Sequence, residues 1–121
     1  EREWTYSNYS TDYEDTPTGV TIEWEHQAGG YGWAGWALLS KVEGDQKLYA
    51  AYIDSGCSCV CMFEEAPEKY DLAWTPNLKE VAAALSRDMK NEEYWGDSRR
   101  PEPDQLKVIL SGLSQAVRAL R

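Results

Sequence analysis

The hydrophobic period of this chain changes once, and that change limits what it can fold into. From Val20 to His26 the residues alternate, with Val20, Ile22, Trp24 and His26 on one side and Thr21, Glu23 and Glu25 on the other. A period of two is the repeat of a half-buried strand. From Leu78 onward the repeat is helical, through Leu78, Val81, Ala82, Leu85 and Met89. A second helical stripe runs through Leu106, Ile109, Leu110, Leu113, Val117 and Leu120. Between them, Gly29-Gly30 breaks the first strand and Tyr31–Val42 predicts the next. Glu43-Gly44-Asp45 is a turn, and Gln46–Asp54 is its hairpin partner. Strands first and helices after them predict an α+β fold. It is an antiparallel sheet of about four strands in the N-terminal two-thirds, with two C-terminal helices packed on one face.

The ends of these elements carry their own signals. Residues 1–18 are polar and acidic, studded with Trp4, Tyr6, Tyr9 and Tyr13, and Thr16-Pro17-Thr18-Gly19 reads as a closing turn. The segment is an edge strand over Glu3–Tyr9 or a partly disordered arm. Thr75-Pro76-Asn77 opens the first helix, with Thr75 or Asn77 as cap and Asn77 with Glu80 as a capping box. The 121 residues fit a single domain, 1–121. Six Trp and eight Tyr stand against one Phe, so aromatic rings supply much of the core.

The net charge of −9 is unevenly spread. Residues 1–25 carry −6, residues 26–98 carry −6, and residues 99–121 carry +3. Such a chain does not bind nucleic acid or an anionic membrane through charge, because both attract Lys and Arg. The charge reads as ordinary solubility or as the complement of a partner with a basic surface. No apolar run reaches the ~20 residues that cross a bilayer. Three cysteines within five residues are not a secreted disulfide framework, and the acidic start is not a secretory leader. The expected setting is a reducing cytoplasm.

Candidate sites follow from three groups of residues. Gly30-Tyr31-Gly32-Trp33-Ala34-Gly35 imitates a dinucleotide-binding fingerprint, but the stretch to Val42 is too short for a crossover helix. The bland reading is a glycine-lightened aromatic strand that lets bulky neighbours come close. The functional one makes Tyr31, Trp33 and Trp36 exposed anchors for a protein partner, with Glu23 and Glu25 as charge complement. Cys57, Cys59 and Cys61 form the second group. They read as buried structural thiols, as a redox cluster, or, with the sole histidine His26, as a Cys₃His zinc site. The third group is acidic, at Asp12–Asp15, Glu64-Glu65 and Glu92-Glu93. It reads as a solvated surface or as a mimic of a phosphate backbone.

One further signal is a resemblance. Ala28-Gly29-Gly30-Tyr31-Gly32-Trp33, Gly35-Trp36, Ser55-Gly56-Cys57-Ser58-Cys59 and Phe63-Glu64-Glu65 resemble small uncharacterised proteins encoded by phages of actinobacteria. Cys61 and Met62 depart from that pattern, which expects turn residues there. The resemblance implies a phage origin and action inside the bacterial host, with no activity or cofactor to carry over. Together these readings favour a small accessory protein that binds a host or phage protein, over catalysis. The alternatives are a metal- or thiol-dependent protein, a nucleic-acid-mimicking inhibitor and a structural virion component. Oligomeric state stays open.

Overall fold

The computed structural model describes residues 1–7, 15–29, 32–57, 61–90 and 103–121. Strands β1 (Arg2–Ser7), β2 (Asp15–Gly29), β3 (Gly32–Glu43) and β4 (Gln46–Cys57) form one antiparallel meander in that order. The hairpin turns at Gly44-Asp45, and its ladder runs without a register shift from Glu43 opposite Gln46 to Gly32 opposite Cys57. Helices α1 (Leu78–Lys90) and α2 (Pro103–Ala119) follow. Asn77 caps α1 as its sequence signal predicts, its side-chain oxygen accepting the Glu80 backbone N–H at 3.3 Å. The α+β plan of a four-stranded antiparallel sheet followed by two helices is therefore the one this chain adopts. No described helix is long and apolar enough to cross a membrane.

β2 differs from its prediction in two ways. Thr16-Pro17-Thr18-Gly19 lies inside the strand instead of closing an arm. The register jumps from Glu3 opposite Thr21 to Thr5 opposite Pro17, so extra residues of β2 bulge there. Gly19, at φ +76°, supplies the left-handed backbone such a bulge uses. β3 pairs with β2 only from Thr21 onward, so the Pro17 stretch is an edge, where proline is tolerated. A second irregularity falls between Ile22 opposite Leu39 and Trp24 opposite Leu38. One inserted residue shifts the phase of a period-two pattern. Val20 and Ile22 consequently join one core while Trp24 packs against the other, which corrects the expectation that all share a face.

The sheet has a core on each side. The helix-side core packs Trp36 and Leu38 of β3 against Val81, Leu85 and Met89 of α1 and Leu113 of α2. The opposite core gathers Trp4, Ile22, Leu39, Tyr52 and Phe63, roofed by residues 61–74. That roof contains a single 3-10 turn, Pro67–Lys69, and is joined to the β4 edge by paired backbone hydrogen bonds between Tyr49 and Thr75, at 2.7 and 2.9 Å. Sequence periodicity showed only the helical cover.

Two glycines make room for bulky side chains beneath this roof. A Cβ on Gly56 would stand 2.9 Å from the Trp33 ring, and that ring is pinned by its Nε1–H donating to the Cys57 carbonyl at 3.0 Å. A Cβ on Gly35 would meet the end of Met62, a flexible thioether that can swing aside. Gly56→Ala is expected to cost about 1–3 kcal/mol by overpacking, and Gly35→Ala clearly less. Urea unfolding of the two variants decides it, and equal costs would mean that the Trp33 ring yields as readily as Met62.

Candidate functional site

Two of the three aromatic anchors read from the sequence, Trp33 and Trp36, are not where a partner can reach them. Trp36 is 0% exposed beneath the helices, and its Nε1–H donates to Asp88 Oδ2 of α1 at 2.8 Å. Trp33 is 3% exposed and lies on the other face, beneath Met62 and against Gly56. The physical reason lies in the strand itself: residues three apart on one strand point to opposite faces, so Trp33 and Trp36 never share a surface. Tyr31 lies outside the described residues. Glu23 is also unavailable, since its side chain is 7% exposed. It accepts from the Ser40 hydroxyl at 2.8 Å and lies 3.8 Å from Lys47 Nζ. The bulge beside it turns the carboxylate inward, and the cation and hydroxyl compensate its burial. Glu25 is exposed and accepts from Arg2 Nε and a terminal guanidinium nitrogen at 3.0 and 3.2 Å.

The cysteine group is only partly described. Cys57 and Cys61 are exposed, against the buried-thiol reading, and Cys59 lies outside the described residues. Among the described residues no three metal-ligating side chains gather. His26 is set apart from Cys57 by the register. It sits opposite Trp36 on one side of β3, while Cys57 sits opposite Gly32 on the other. That is about 13 Å along the strands and about 10 Å across them, whereas zinc ligands converge on a metal about 2.0–2.3 Å away. The sheet therefore does not bring His26 and Cys57 together.

Among the described residues, a partly exposed aromatic surface lies elsewhere and was missed by sequence reasoning. Tyr70, Leu72 and Trp74 are half-buried and line a pocket of about 290 Å3 with Val20, Lys41 and Val42. Val42, 67% exposed, is its outer wall. Lys41 Nζ sits 4.5 Å from the Trp74 ring centroid, a cation–π contact that holds the indole flat against β3. The roof carries exposed Glu64, Glu65, Glu68 and Asp71 against one exposed lysine, Lys69, which pairs with Glu65 at 3.6 Å; of these, Glu68 lines the pocket. The available signal was the alternation Tyr70, Leu72, Trp74 immediately before the helix cap, in a stretch with no helical period.

A family described as a domain of unknown function (DUF7574) matches residues 7–116. The chain belongs to this family. Comparison with curated proteins and with solved structures gave no match. The DUF7574 match runs from the last residue of β1 into the last turn of α2, so the pocket, the cysteine segment, α1 and most of α2 lie within the family's own span.

His26 of this DUF7574 domain gives a prediction of its own. Its ring stacks on Trp36 with centroids 6.5 Å apart, and burial lowers its pKa below the ordinary 6.5. The unfolded chain therefore takes up the proton first as pH falls. Stability attributable to the neutral ring is complete above pH 6.5 and declines from there toward the folded-state pKa. As the sole histidine, it gives one unambiguous NMR titration. The midpoint is expected below 6.5, and His26→Gln removes that component of the pH dependence. A midpoint at or above the ordinary value would contradict the burial.

Proposed function

We propose that this chain is a protein-binding module that seats an apolar side chain of a basic partner against Trp74, Tyr70 and Val42. The observation that carries the reading is the pocket itself: three half-buried apolar rings and chains and one strongly exposed valine, in a roof whose exposed acids outnumber its one lysine. Trp and Tyr presented this way supply large contact area at small entropic cost and dominate binding hot spots. A volume of about 290 Å3 suits one or two side chains, at the small end of what ligand pockets offer. The exposed Glu64, Glu65, Glu68 and Asp71, with Glu25 on the same face of the sheet, favour a partner that brings Lys or Arg beside its apolar residue. The resemblance to small phage proteins supports an accessory role on a host or phage protein, in the bacterial cytoplasm.

The test uses Val42, which is exposed and can be changed without opening the core. Partner capture from host lysate at about 0.1 M salt is run with the wild type and with Val42→Glu. A discrete species held by the wild type, released at high salt and lost with Val42→Glu supports the reading. A species held equally by both proteins, or none at all, sinks it.

A further inference from the structure

A second concavity lies between α1 and α2, and its charge is the reverse of the chain's. Lys79 and Lys90 of α1 face Arg118 and Arg121 at the end of α2 around a cleft of about 460 Å3 that, among the described residues, no Asp or Glu lines. All four cations are exposed, and among the described residues none of them is ion-paired. In a chain of net charge −9, carboxylates outnumber cations almost two to one, yet the charged side chains that line this cleft among the described residues are all cations. Its floor includes exposed Ala83 and half-buried Leu110. Lys79 and Lys90 stand three helical turns apart, about 16 Å.

We propose that this cleft docks an acidic amphipathic helix of a partner protein, a site separate from the aromatic pocket and independent of it. The apolar floor takes the helix's apolar stripe and the cationic walls take the carboxylates beside it, the helix-in-groove mode of recognition. A polyanion such as nucleic acid fits less well, because the charge of the whole chain repels whatever extends beyond the cleft. A second copy of the chain fits this mode less well, because neither described helix, α1 or α2, carries an acidic face: their acids are Glu80, Asp88 and Asp104.

The experiment titrates the full chain into a fluorescein-labelled peptide of about 16 residues, built from Glu, Leu and Ala with the Glu on one helical face. Controls are the same peptide with Gln for Glu, and a single-stranded oligothymidylate. Binding of the Glu peptide is expected to weaken at least about tenfold between about 0.05 and 0.3 M salt. It is expected to fall at least about tenfold again in the combined variant Lys79→Gln, Lys90→Gln, Arg118→Gln, Arg121→Gln. Val42→Glu leaves it unchanged. Circular dichroism confirms that the exposed substitutions keep the fold, and a double variant, Lys79→Gln with Arg118→Gln, serves if they do not. Failure of the wild type to bind, equal binding by the variants, or equal binding of the Gln peptide overturns the proposal. Tighter binding of the oligonucleotide that the variants abolish overturns it in favour of nucleic acid, and a dimer of the chain alone that they abolish does so in favour of self-association.

Discussion

Trp36→Ala is expected to destabilise the protein by about 3–5 kcal/mol and to loosen both helices from the sheet. The indole is wholly buried at the centre of the helix-side core, against side chains of α1 and α2 at once. Its removal leaves a cavity that a β-sheet cannot collapse to fill. It also strips the Asp88 carboxylate of the indole N–H that binds it at 2.8 Å. Against a total stability of about 5–15 kcal/mol, the loss is a large share. Trp36→Phe separates the two contributions, keeping most of the burial and losing only the hydrogen bond, for about 1 kcal/mol. Urea unfolding followed by far-ultraviolet circular dichroism reads both. A loss below about 1 kcal/mol in Trp36→Ala would mean that the helices are not anchored through this ring.

The reach and the limit of sequence reasoning meet at this same residue. Element types were legible because each helix and each central strand keeps one period over most of its length, and the Asn77 cap and the Gly44-Asp45 turn have local chemistry that does not depend on the rest of the fold. Side-chain exposure was not legible. Trp33 and Trp36 look alike in the sequence, but their strand sends them to opposite faces, and each face has its own cover. The cover over Trp33 is the stretch 61–74, which has no helical period and only the short alternation Tyr70, Leu72, Trp74 at its end. Phase was the other hidden quantity. The inserted residue between Ile22 and Trp24 leaves no mark on the apolar count, yet it moves Glu23 from an expected docking surface to a buried position, where it accepts from Ser40 and lies beside Lys47. The pocket at Tyr70 and Trp74 escaped notice for the same reason as the roof that builds it.

Trp4→Ala tests that roof and is expected to cost about as much as the loss of Trp36, about 3–5 kcal/mol, but to act on a different part of the molecule. Trp4 is fully buried in β1. Its Nε1–H donates to the Glu65 carbonyl at 3.0 Å, and its ring meets Tyr52 and Phe63 edge-on with centroids 5.3 and 4.9 Å away. Phe63 stacks in turn on Tyr52, whose hydroxyl donates to Asp54 at 2.7 Å. Burial and that carboxylate push the Tyr52 phenol far above the ordinary tyrosine range, so it remains a donor. Phe63 holds a left-handed backbone at φ +65°, a conformation that costs a side-chain-bearing residue about 1–2 kcal/mol and persists only while its ring is held. Without Trp4 the cavity and the released strain act in the same direction, and the roof opens before the sheet does. Hydrogen exchange is expected to show faster exchange at residues 61–72 with α1 and α2 still protected, and partner capture through the pocket is lost because Tyr70 no longer has a fixed position. If helix and roof amides lose protection together, the two covers are one cooperative unit, and the aromatic pocket is as rigid as the core behind it.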